Sequence, residues 1–497
     1  MKKMAVYFCC LIGCVWTFTV PAFSASNQLG APPEFPSVPL LEEKSEKLHT
    51  DPWVLNEALR VDPQNLEESR DFYYSNYIGS EGVAMNWTGE HSSCNAGTTS
   101  QAYKDSLLLE LNYFRAMAGV PAEVTFFTEY NTKAQEAALM MSVNGQLSHD
   151  PPTFWTCYTA NGAEAAGSSN LMMGVPSLNH IIAGYMEDSG SSNYFVGHRR
   201  WALYPQTQMM GTGDVPSDAP YYQWTANALW VFDSHIWEPR PATREEYVAW
   251  PPPGYVPYQV VYPRWSFAYD DADLSGATVT MTQDGSPVSV TQETYSPGYG
   301  ENTLVWRPFN MAYDATWPTE HLATYEVTIS NVVISRAPRS FTYSVTVFDP
   351  AEPLPRPEIE IRGNGSTIAD GDTTPSTTDH TSFGTTPVGT PISRTYTIAN
   401  TGDEDLTLTL PVALTGADCA DFDITAQPAT SVVAAAGTTT FTIQYSPADL
   451  GDSDTCTVTV ANDDSDENPY DFDIQGTAES VIDKGTGWLP AIYLLLL

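Results

Sequence analysis

The stretch that most constrains the fold is residues 194–205, YFVGHRRWALYP. Gly197 permits turns and close approaches that a Cβ would block, and His198 ligates metals or moves a proton near neutral pH. The apolar residues 201–204 predict a buried strand that ends at Pro205. We therefore expect His198 at the mouth of a buried strand, where a site residue would lie; the alternative is a packed core histidine.

Four stretches in this order resemble the CAP superfamily of cysteine-rich secretory, antigen 5 and pathogenesis-related proteins, in its bacterial secreted branch. The resemblance covers about residues 65–235 and implies an α+β fold, an α-β-α sandwich of helices around a small antiparallel sheet. The matching stretches are 111–120 (LNYFRAMAGV), 134–138 (AQEAA), 147–149 (LSH) and 197–205 (GHRRWALYP).

The CAP resemblance also implies a cleft built from two histidines and two acidic residues. The histidines correspond to His149 and His198. The second acid of the family lies three residues after a helical aromatic residue, which is Tyr185 here, so it corresponds to Asp188, with the adjacent Glu187 as the fallback.

At the first acid the sequence departs from the family pattern, Gly-Glu-Asn. Residues 167–170 read Gly-Ser-Ser-Asn, so Ser169 takes the acidic position, followed by Asn170. Either the cleft has two histidines and one carboxylate, or Asp150 or Glu164 supplies the missing charge.

Two neutral imidazoles and a carboxylate suit Zn²⁺ or another divalent first-row cation and leave positions open for water. The sequence therefore predicts a metal site formed by His149, His198 and Asp188 or Glu187. The competing interpretation is that the two histidines only hydrogen-bond to nearby groups and hold loops together.

The first 24 residues have the pattern of a secretory signal peptide. Lys2 and Lys3 precede an apolar core, and residues 22–24 form a small-x-small cleavage site. A lipoprotein box ending at Cys14 is the competing interpretation. Loss of the two lysines takes the formal charge from −39 to −41, which disfavours binding to nucleic acid.

Four cysteines remain beyond the signal peptide. Cys94 and Cys157 fall in the CAP-like region, and Cys419 and Cys456 fall near the C-terminus. In an oxidising compartment, one disulfide within each region is the natural pairing. Zinc binding by cysteine is not expected, because the sequence has no Cys-x-x-Cys pair.

Hydrophobic periodicity predicts helices over 105–118 and 131–141, and a third that starts at Ser177. Glu187 and Asp188 would end this third helix, where carboxylates oppose the helix dipole unless a positive group compensates. Residues 228–232 predict a second buried strand, lying beside the strand predicted at 201–204.

The C-terminal half alternates with a period of two, which is typical of half-buried strands. Asp284-Gly285 predicts a hairpin turn. The C-terminal region resembles immunoglobulin-like domains called choice-of-anchor D, of the ASPM, SPD-2 and Hydin type, which implies display or spacing. The residues that carry this resemblance are 400–402, Cys419, Phe422, 445–447, Gly451 and 462–464.

The expected fold class is multidomain, an α+β CAP domain followed by two all-β immunoglobulin-like sandwiches. Proline-rich stretches mark the expected linkers. The expected segments are a signal peptide (1–24), an exposed proline-rich leader (25–60), the CAP domain (61–245), a linker (246–257), a β-sandwich (258–350), a linker (351–357), an immunoglobulin-like domain (358–478) and a tail of unassigned role (479–497).

These features favour a protein that is secreted or displayed on the cell surface and binds an extracellular lipid, glycan or protein, with membrane association only through an anchor. A metal-assisted hydrolase, either a peptidase or an esterase, is the first alternative, with Asp188 or Glu187 as the base. A purely structural adhesin is the second. We expect a binding protein rather than an enzyme, because no Gly-x-Ser-x-Gly or His-Glu-x-x-His motif is present.

Overall fold

A computed structural model describes residues 29–36, 58–174, 180–218, 224–319, 322–353, 355–451 and 453–480. The predicted signal peptide lies outside these residues, as do most of the predicted leader and tail and the predicted start of a helix at Ser177. The chain divides into two compact units, Met1–Glu352 and Pro353–Leu497. The boundary falls inside the linker predicted at 351–357.

The helices of the first unit begin and end at residues that suit these positions. Ser100 accepts a hydrogen bond from the Tyr103 amide at the start of the second helix. Gly145 ends the third in the left-handed conformation, with φ of 63°. The described helices are α1 (Leu66–Phe72), α2 (Gln101–Met117), α3 (Thr128–Asn144), α4 (Ala160–Ser168), α5 (Ile181–Glu187) and α6 (Gly197–Ala202).

A four-stranded sheet forms the centre of the CAP-like region. Its strands are β1 (Thr125–Phe126), β2 (Ser169–Met173), β3 (Met209–Val215) and β4 (Ala226–Trp230), in the order β1-β3-β4-β2. Alternate residues of β4 face opposite sides, as a strand requires. Ala228 and Trp230 pack with α3 and α4, whereas Leu229 packs with α2, α5 and α6. The helices therefore cover both faces, which confirms the α-β-α sandwich.

One predicted strand of this region is wrong. Residues 201–204 do not form a strand, because Trp201 and Ala202 belong to α6, and the neighbours of β4 are β3 and β2 instead. A short apolar run has no periodicity long enough to separate a buried helix from a buried strand. His198 therefore lies in the first turn of a helix, not at the mouth of a strand.

The next nine strands form two packed sheets. Asp284 and Gly285 adopt left-handed φ values of 47° and 79° in the hairpin between β8 and β9, as predicted. The sheet orders are β10-β11-β7-β5 and β6-β13-β12-β8-β9. The strands are β5 (Val248–Trp250), β6 (Gly254–Pro257), β7 (Trp265–Ala268), β8 (Thr278–Gln283), β9 (Ser286–Val288), β10 (Val290–Gln292), β11 (Thr303–Pro308), β12 (Leu322–Ile334) and β13 (Ala337–Phe348).

The proline-rich stretch 246–257, which the sequence predicts to be a linker, contributes β5 and β6, one strand to each sheet. Trp250 is fully buried, and its ring lies 5.1 Å from the ring of Phe114 in α2. Ser69 of α1 donates a hydrogen bond to the Tyr255 carbonyl at 2.7 Å. These contacts join the CAP-like region and the first sandwich into one packed body.

The second unit is the second predicted sandwich. Its sheets have the orders β15-β14-β17-β21-β19 and β16-β23-β22-β18-β20. The strands are β14 (Ile359–Gly363), β15 (Ser366–Ile368), β16 (Ser382–Pro387), β17 (Ile392–Asn400), β18 (Leu406–Thr415), β19 (Phe422–Ala426), β20 (Val432–Val433), β21 (Thr438–Tyr445), β22 (Ser453–Asn462) and β23 (Tyr470–Glu479). The multidomain fold class is confirmed.

Both predicted disulfides are confirmed. Cys94–Cys157 lies in the first unit and Cys419–Cys456 in the second. None of the described helices is both long and apolar enough to cross a membrane.

Because each disulfide lies within one unit, its removal should affect only the unfolding of that unit. A disulfide that closes a loop of 37 residues should stabilise the second unit by about 2–4 kcal/mol. Replacement of Cys419 and Cys456 by serine is therefore expected to lower only the transition of the second unit in differential scanning calorimetry. The matched control is replacement of Cys94 and Cys157, which should lower only the other transition; a shift of both transitions by either change would contradict the two-unit description.

Candidate functional site

Helix α6, which carries His198, is fixed at its C-terminal end by a buried arginine. The Arg115 guanidinium donates hydrogen bonds of 2.9 and 3.0 Å to the carbonyls of Ala202 and Tyr204, and one of 3.2 Å to that of Thr207. Terminal helix carbonyls lack partners within the helix and attract a positive charge. Burial lowers the pKa of Arg115 to about 9, so the guanidinium remains charged at neutral pH.

Asp188 fixes the other end of α6. Its Oδ2 accepts hydrogen bonds from the backbone amides of His198 and Arg199 at 2.8 and 3.4 Å, and its Oδ1 accepts one from His198 Nδ1 at 2.8 Å. The side chains of His198 and Asp188 are both 0% exposed. The structure thus brings these two predicted residues together, with Asp188 capping the free amides of the first turn.

The carboxylates at the end of α5 have the positive partners that the sequence argument required. Arg264 donates to the Asp188 carbonyl at 2.7 Å, and Arg199 donates to the Met186 carbonyl at 2.6 Å. Glu187 is half-buried beside these two arginines. Burial raises its pKa to about 7, against the opposing effect of the two guanidinium groups.

His149 lies apart from this pair. Its Nδ1 is 2.6 Å from the carbonyl oxygen of Ala166, at the end of α4, and its Nε2 is 2.5 Å from the carbonyl oxygen of Ala31. A carbonyl oxygen only accepts, so the ring nitrogen that carries the N–H donates to one of these two oxygens, whereas a metal ligand must present a lone pair.

Ser169 stands where the family has its first acid, and the next residue, Asn170, contacts α6. The Asn170 side-chain amide donates to the His198 carbonyl at 3.0 Å, and the main-chain carbonyl of Asn170 accepts from the Tyr185 hydroxyl at 3.0 Å. Ser169 Oγ, Asn170 Oδ1 and His198 Nε2 are buried without a hydrogen-bond partner in the described protein.

The two proposed substitutes for the missing acid do not join this group. Glu164 forms an ion pair with Lys133 of α3 at 3.1 Å and is largely exposed. Asp150 is also exposed. Neither carboxylate has a described contact with His149 or His198.

The predicted metal ligands are not gathered as a site. Among the described residues, one set of three His, Cys, Asp or Glu side chains has its ligand atoms within 4.8 Å of one another, and it is Glu358, Asp464 and Asp466 of the second unit. In the CAP-like region both oxygens of Asp188 accept hydrogen bonds, and each nitrogen of His149 faces a carbonyl oxygen. The residues present do not fit a bound metal in this arrangement, and the cation stays a prediction.

Instead, part of the predicted leader lies beside His149 and α6. Gly30 donates to the Leu171 carbonyl of β2 at 3.3 Å, and Trp201 Nε1 donates to the Pro33 carbonyl at 2.9 Å. Pro32 and Pro33 are buried. The described residues 29–36 are therefore not an exposed leader but occupy a groove, which we call the leader groove, lined by β2, His149 and α6.

Sequence reasoning missed two components of this groove, the leader and the indole donor of Trp201, but it did identify Gly197 as a position of close approach. A signal was present in the leader itself. Two consecutive prolines between Leu29 and Phe35 combine a stiff extended backbone with apolar anchors, a pattern that suits docking better than solvation.

The model of the CAP cysteine-rich secretory protein family matches residues 108–233. That of the HYDIN/CFA65/VesB-like Ig-like domain matches residues 376–477. The chain therefore contains both domains that the sequence resembles. Together they support an extracellular, interaction-type protein. No curated protein matches the chain.

Solved structures with some similarity to the chain include a protein of unknown function from Porphyromonas gingivalis W83, with 12% identity, coverage of 43% of this chain and 89% of that chain, and a TM-score of 0.19. A PapD-like domain of human CEP192 has 16% identity, coverage of 26% and 93%, and a TM-score of 0.17. The Vibrio cholerae VesB protease has 8% identity, coverage of 55% and 76%, and a TM-score of 0.16.

Replacement of Asp188 is expected to destabilise the first unit strongly. Asp188→Ala leaves the α6 amides and His198 without their acceptor, so the free energy of unfolding in urea should fall by about 3–5 kcal/mol. Asp188→Asn keeps the shape and one acceptor oxygen and should cost about 1.5–3 kcal/mol. Asp150→Ala, at an exposed carboxylate, is the control and should change stability by less than about 0.5 kcal/mol.

Glu187 should make the first unit less stable as the pH rises. Its pKa is about 7 in the folded chain, against an ordinary value of 4.5. The folded state therefore binds more protons between these values, and the stabilisation present below pH 4.5 is lost as the pH rises through 7. Glu187→Gln should remove this dependence, raising stability relative to wild type by about 1–3 kcal/mol at pH 8 but not at pH 4, as measured by urea unfolding. Equal effects of the substitution at both pH values would contradict the assignment.

Proposed function

We propose that this chain is an exported binding protein whose CAP domain holds an extended polypeptide in the leader groove. The observation that carries the proposal is the segment 29–36 itself. It lies on β2 and α6 through hydrogen bonds to its main-chain atoms and through packing of its prolines. Such contacts retain a polypeptide without acting on a particular bond.

The contacts of the candidate general bases, His149, His198 and Asp188, favour binding over hydrolysis. A general base must present a lone pair to the proton that it removes. Each nitrogen of His149 instead faces a carbonyl oxygen, and His198 Nδ1 is bound to Asp188. His198 Nε2 has no described partner, but it is fully buried and so is not presented to a substrate. Asp188 is itself occupied by three donors, so it has no oxygen free of a protein partner.

Features outside the groove support export and display. The signal-like first 24 residues, two disulfides and a formal charge of −39 all suit an oxidising extracellular environment. The two β-sandwiches are immunoglobulin-like folds, which are defined by architecture more than by chemistry, and this suits display or spacing. We therefore place the protein outside the cell or on its surface.

One observation favours the metal-assisted hydrolase as a second candidate. The pKa of Glu187, about 7, is the kind of value that a general acid or base requires. The carboxylate lies beside Arg199 and Arg264, however, and not beside His198. Burial of the Glu187 carboxyl in a structural role accounts for the same shift, which the two guanidinium groups oppose.

The two candidates differ in what happens to the leader, which would be the best-placed substrate of a peptidase. We expect the full chain to keep its intact mass after prolonged incubation with Zn²⁺ or with a chelator, as measured by mass spectrometry. It should also leave a panel of peptides and esters unchanged.

The matched control is His198→Asn, which retains a donor for Asp188 but removes the imidazole. Cleavage within residues 29–36, or turnover of the panel, that disappears in this variant would replace the binding proposal with the hydrolase.

A further inference from the structure

We propose that the leader groove is a specific site for an extended, proline-containing peptide of a partner, and that residues 29–36 occupy it as a competing ligand within the same chain. This inference rests on the proposed function and adds the ligand class and its regulation. The leader then shows which peptide chemistry the groove selects.

The groove begins at β2, the edge strand of the sheet. In the order β1-β3-β4-β2, strand β2 pairs with β4 on one side only. Leu29 forms an antiparallel bridge with Met172 of β2, and Gly30 donates to the Leu171 carbonyl at 3.3 Å. An exposed strand edge is a general template for an added peptide strand, because its unpaired main-chain groups require partners.

Two side-chain donors then contact alternate carbonyls of the peptide. His149 Nε2 lies 2.5 Å from the Ala31 oxygen, and Trp201 Nε1 donates to the Pro33 oxygen at 2.9 Å. Alternate carbonyls point the same way only in an extended backbone, so this spacing selects conformation rather than side chains. Trp201 is fully buried, and its indole N–H would lose its described acceptor if the groove were empty.

Prolines favour the extended backbone that the groove requires. Each proline fixes its own φ, and a proline also holds the preceding residue in an extended conformation. The run Ala31-Pro32-Pro33 is therefore ordered before it binds, and less conformational entropy is lost on docking.

The floor of the groove selects the ring of the first proline. A Cβ added to Gly197 would lie 2.3 Å from Pro32 Cγ and 2.7 Å from a ring carbon of Phe195. Gly197 has no positive φ, so its backbone would accept alanine. Close approach of the peptide, rather than backbone conformation, is what requires glycine at this position.

An aromatic pocket receives the residue two positions after the second proline. The Phe35 ring lies 4.8 Å from that of Trp237, 5.7 Å from that of Trp201 and 6.5 Å from that of Tyr204. Tilted and edge-on aromatic pairs at these separations add to the energy of burial. The preferred ligand is thus an extended peptide with two successive prolines and an aromatic residue two positions later.

Tethering makes the leader a strong competitor. Residues 37–57 connect it to the part of the chain that contacts the CAP domain from Leu59 onward. Attachment in the same chain gives the leader an effective concentration on the order of 1 mM. A leader with an intrinsic Kd of about 10 μM should therefore weaken the binding of a partner peptide to the wild-type chain on the order of 100-fold. Displacement or removal of the leader would open the site.

The experiment uses the full chain and a fluorescein-labelled peptide with the sequence of residues 28–37, followed by fluorescence anisotropy. We expect little binding to wild type. A variant with a weakened leader, Pro32→Gly with Phe35→Ser, should bind at least 10-fold more tightly. A peptide that carries the same two changes should not bind to either chain.

Groove variants in the weakened-leader chain test the geometry. Gly197→Ala places a Cβ where the proline ring lies and should weaken binding at least 10-fold, whereas the matched control Gly79→Ala, whose Cβ would meet only a carbonyl at 3.5 Å, should not. Trp201→Phe removes the indole donor and provides a second variant, with folding of each variant checked by thermal unfolding.

The inference is overturned if the folded weakened-leader chain does not bind the peptide, or if neither groove variant alters binding. Chromatography of the peptide after the measurement separates this result from failure of the proposed function. Peptide that is cut contradicts the binding function, whereas peptide that stays intact and unbound contradicts only the peptide site.

Discussion

The first unit depends on hydrogen bonds from buried guanidinium groups to backbone carbonyls. Arg115 holds the C-terminal end of α6, Arg199 donates to the Arg264 carbonyl in the first sandwich, and Arg264 donates back to the Asp188 carbonyl. A buried charge without hydrogen bonds is prohibitively costly, so each of these side chains requires its carbonyls to be in place. The planar guanidinium, with five donors, is the group that can bridge several chain segments at once. Helix α6 is consequently positioned from both sides, and with it the pair of His198 and Asp188.

Local sequence patterns predicted most of the fold. The period of α2 and α3, the Asp284-Gly285 hairpin and the alternation of β12 and β13 are set by short-range periodicity and turn chemistry. The errors fall where tertiary contacts decide. Residues 201–202 are helical because Arg115 and Asp188 satisfy the two ends of α6, and Arg115 is distant from it in sequence. Likewise, the prolines of 246–257 predicted a linker, but these residues form β5 and β6, and Trp250 packs against Phe114 of α2.

The candidate site was also predictable only in part, because some of its contacts come from residues distant in sequence. The resemblance supplied His198 and Asp188, which meet, because both belong to the CAP pattern that places the end of α5 beside α6. His149 was expected to face a shared ion, and no pattern within the CAP region shows that its nitrogens contact Ala166 and Ala31. The leader lies about 120 residues before His149 and outside the CAP match, so the partner of Nε2 is visible only in three dimensions.

The burial of Trp250 and the pairing of β5 and β6 within the first sandwich bear on modularity. CAP and β-sandwich domains are usually regarded as separable. Here their interface contains the buried Trp250, and arginines of the CAP-like region donate hydrogen bonds to carbonyls of the sandwich. If the CAP-like region were cut from the chain after residue 245, Arg199 and Arg200 would lose the carbonyl acceptors of residues 264, 296 and 301. In evolutionary terms, the CAP-like region and the first sandwich must be inherited together.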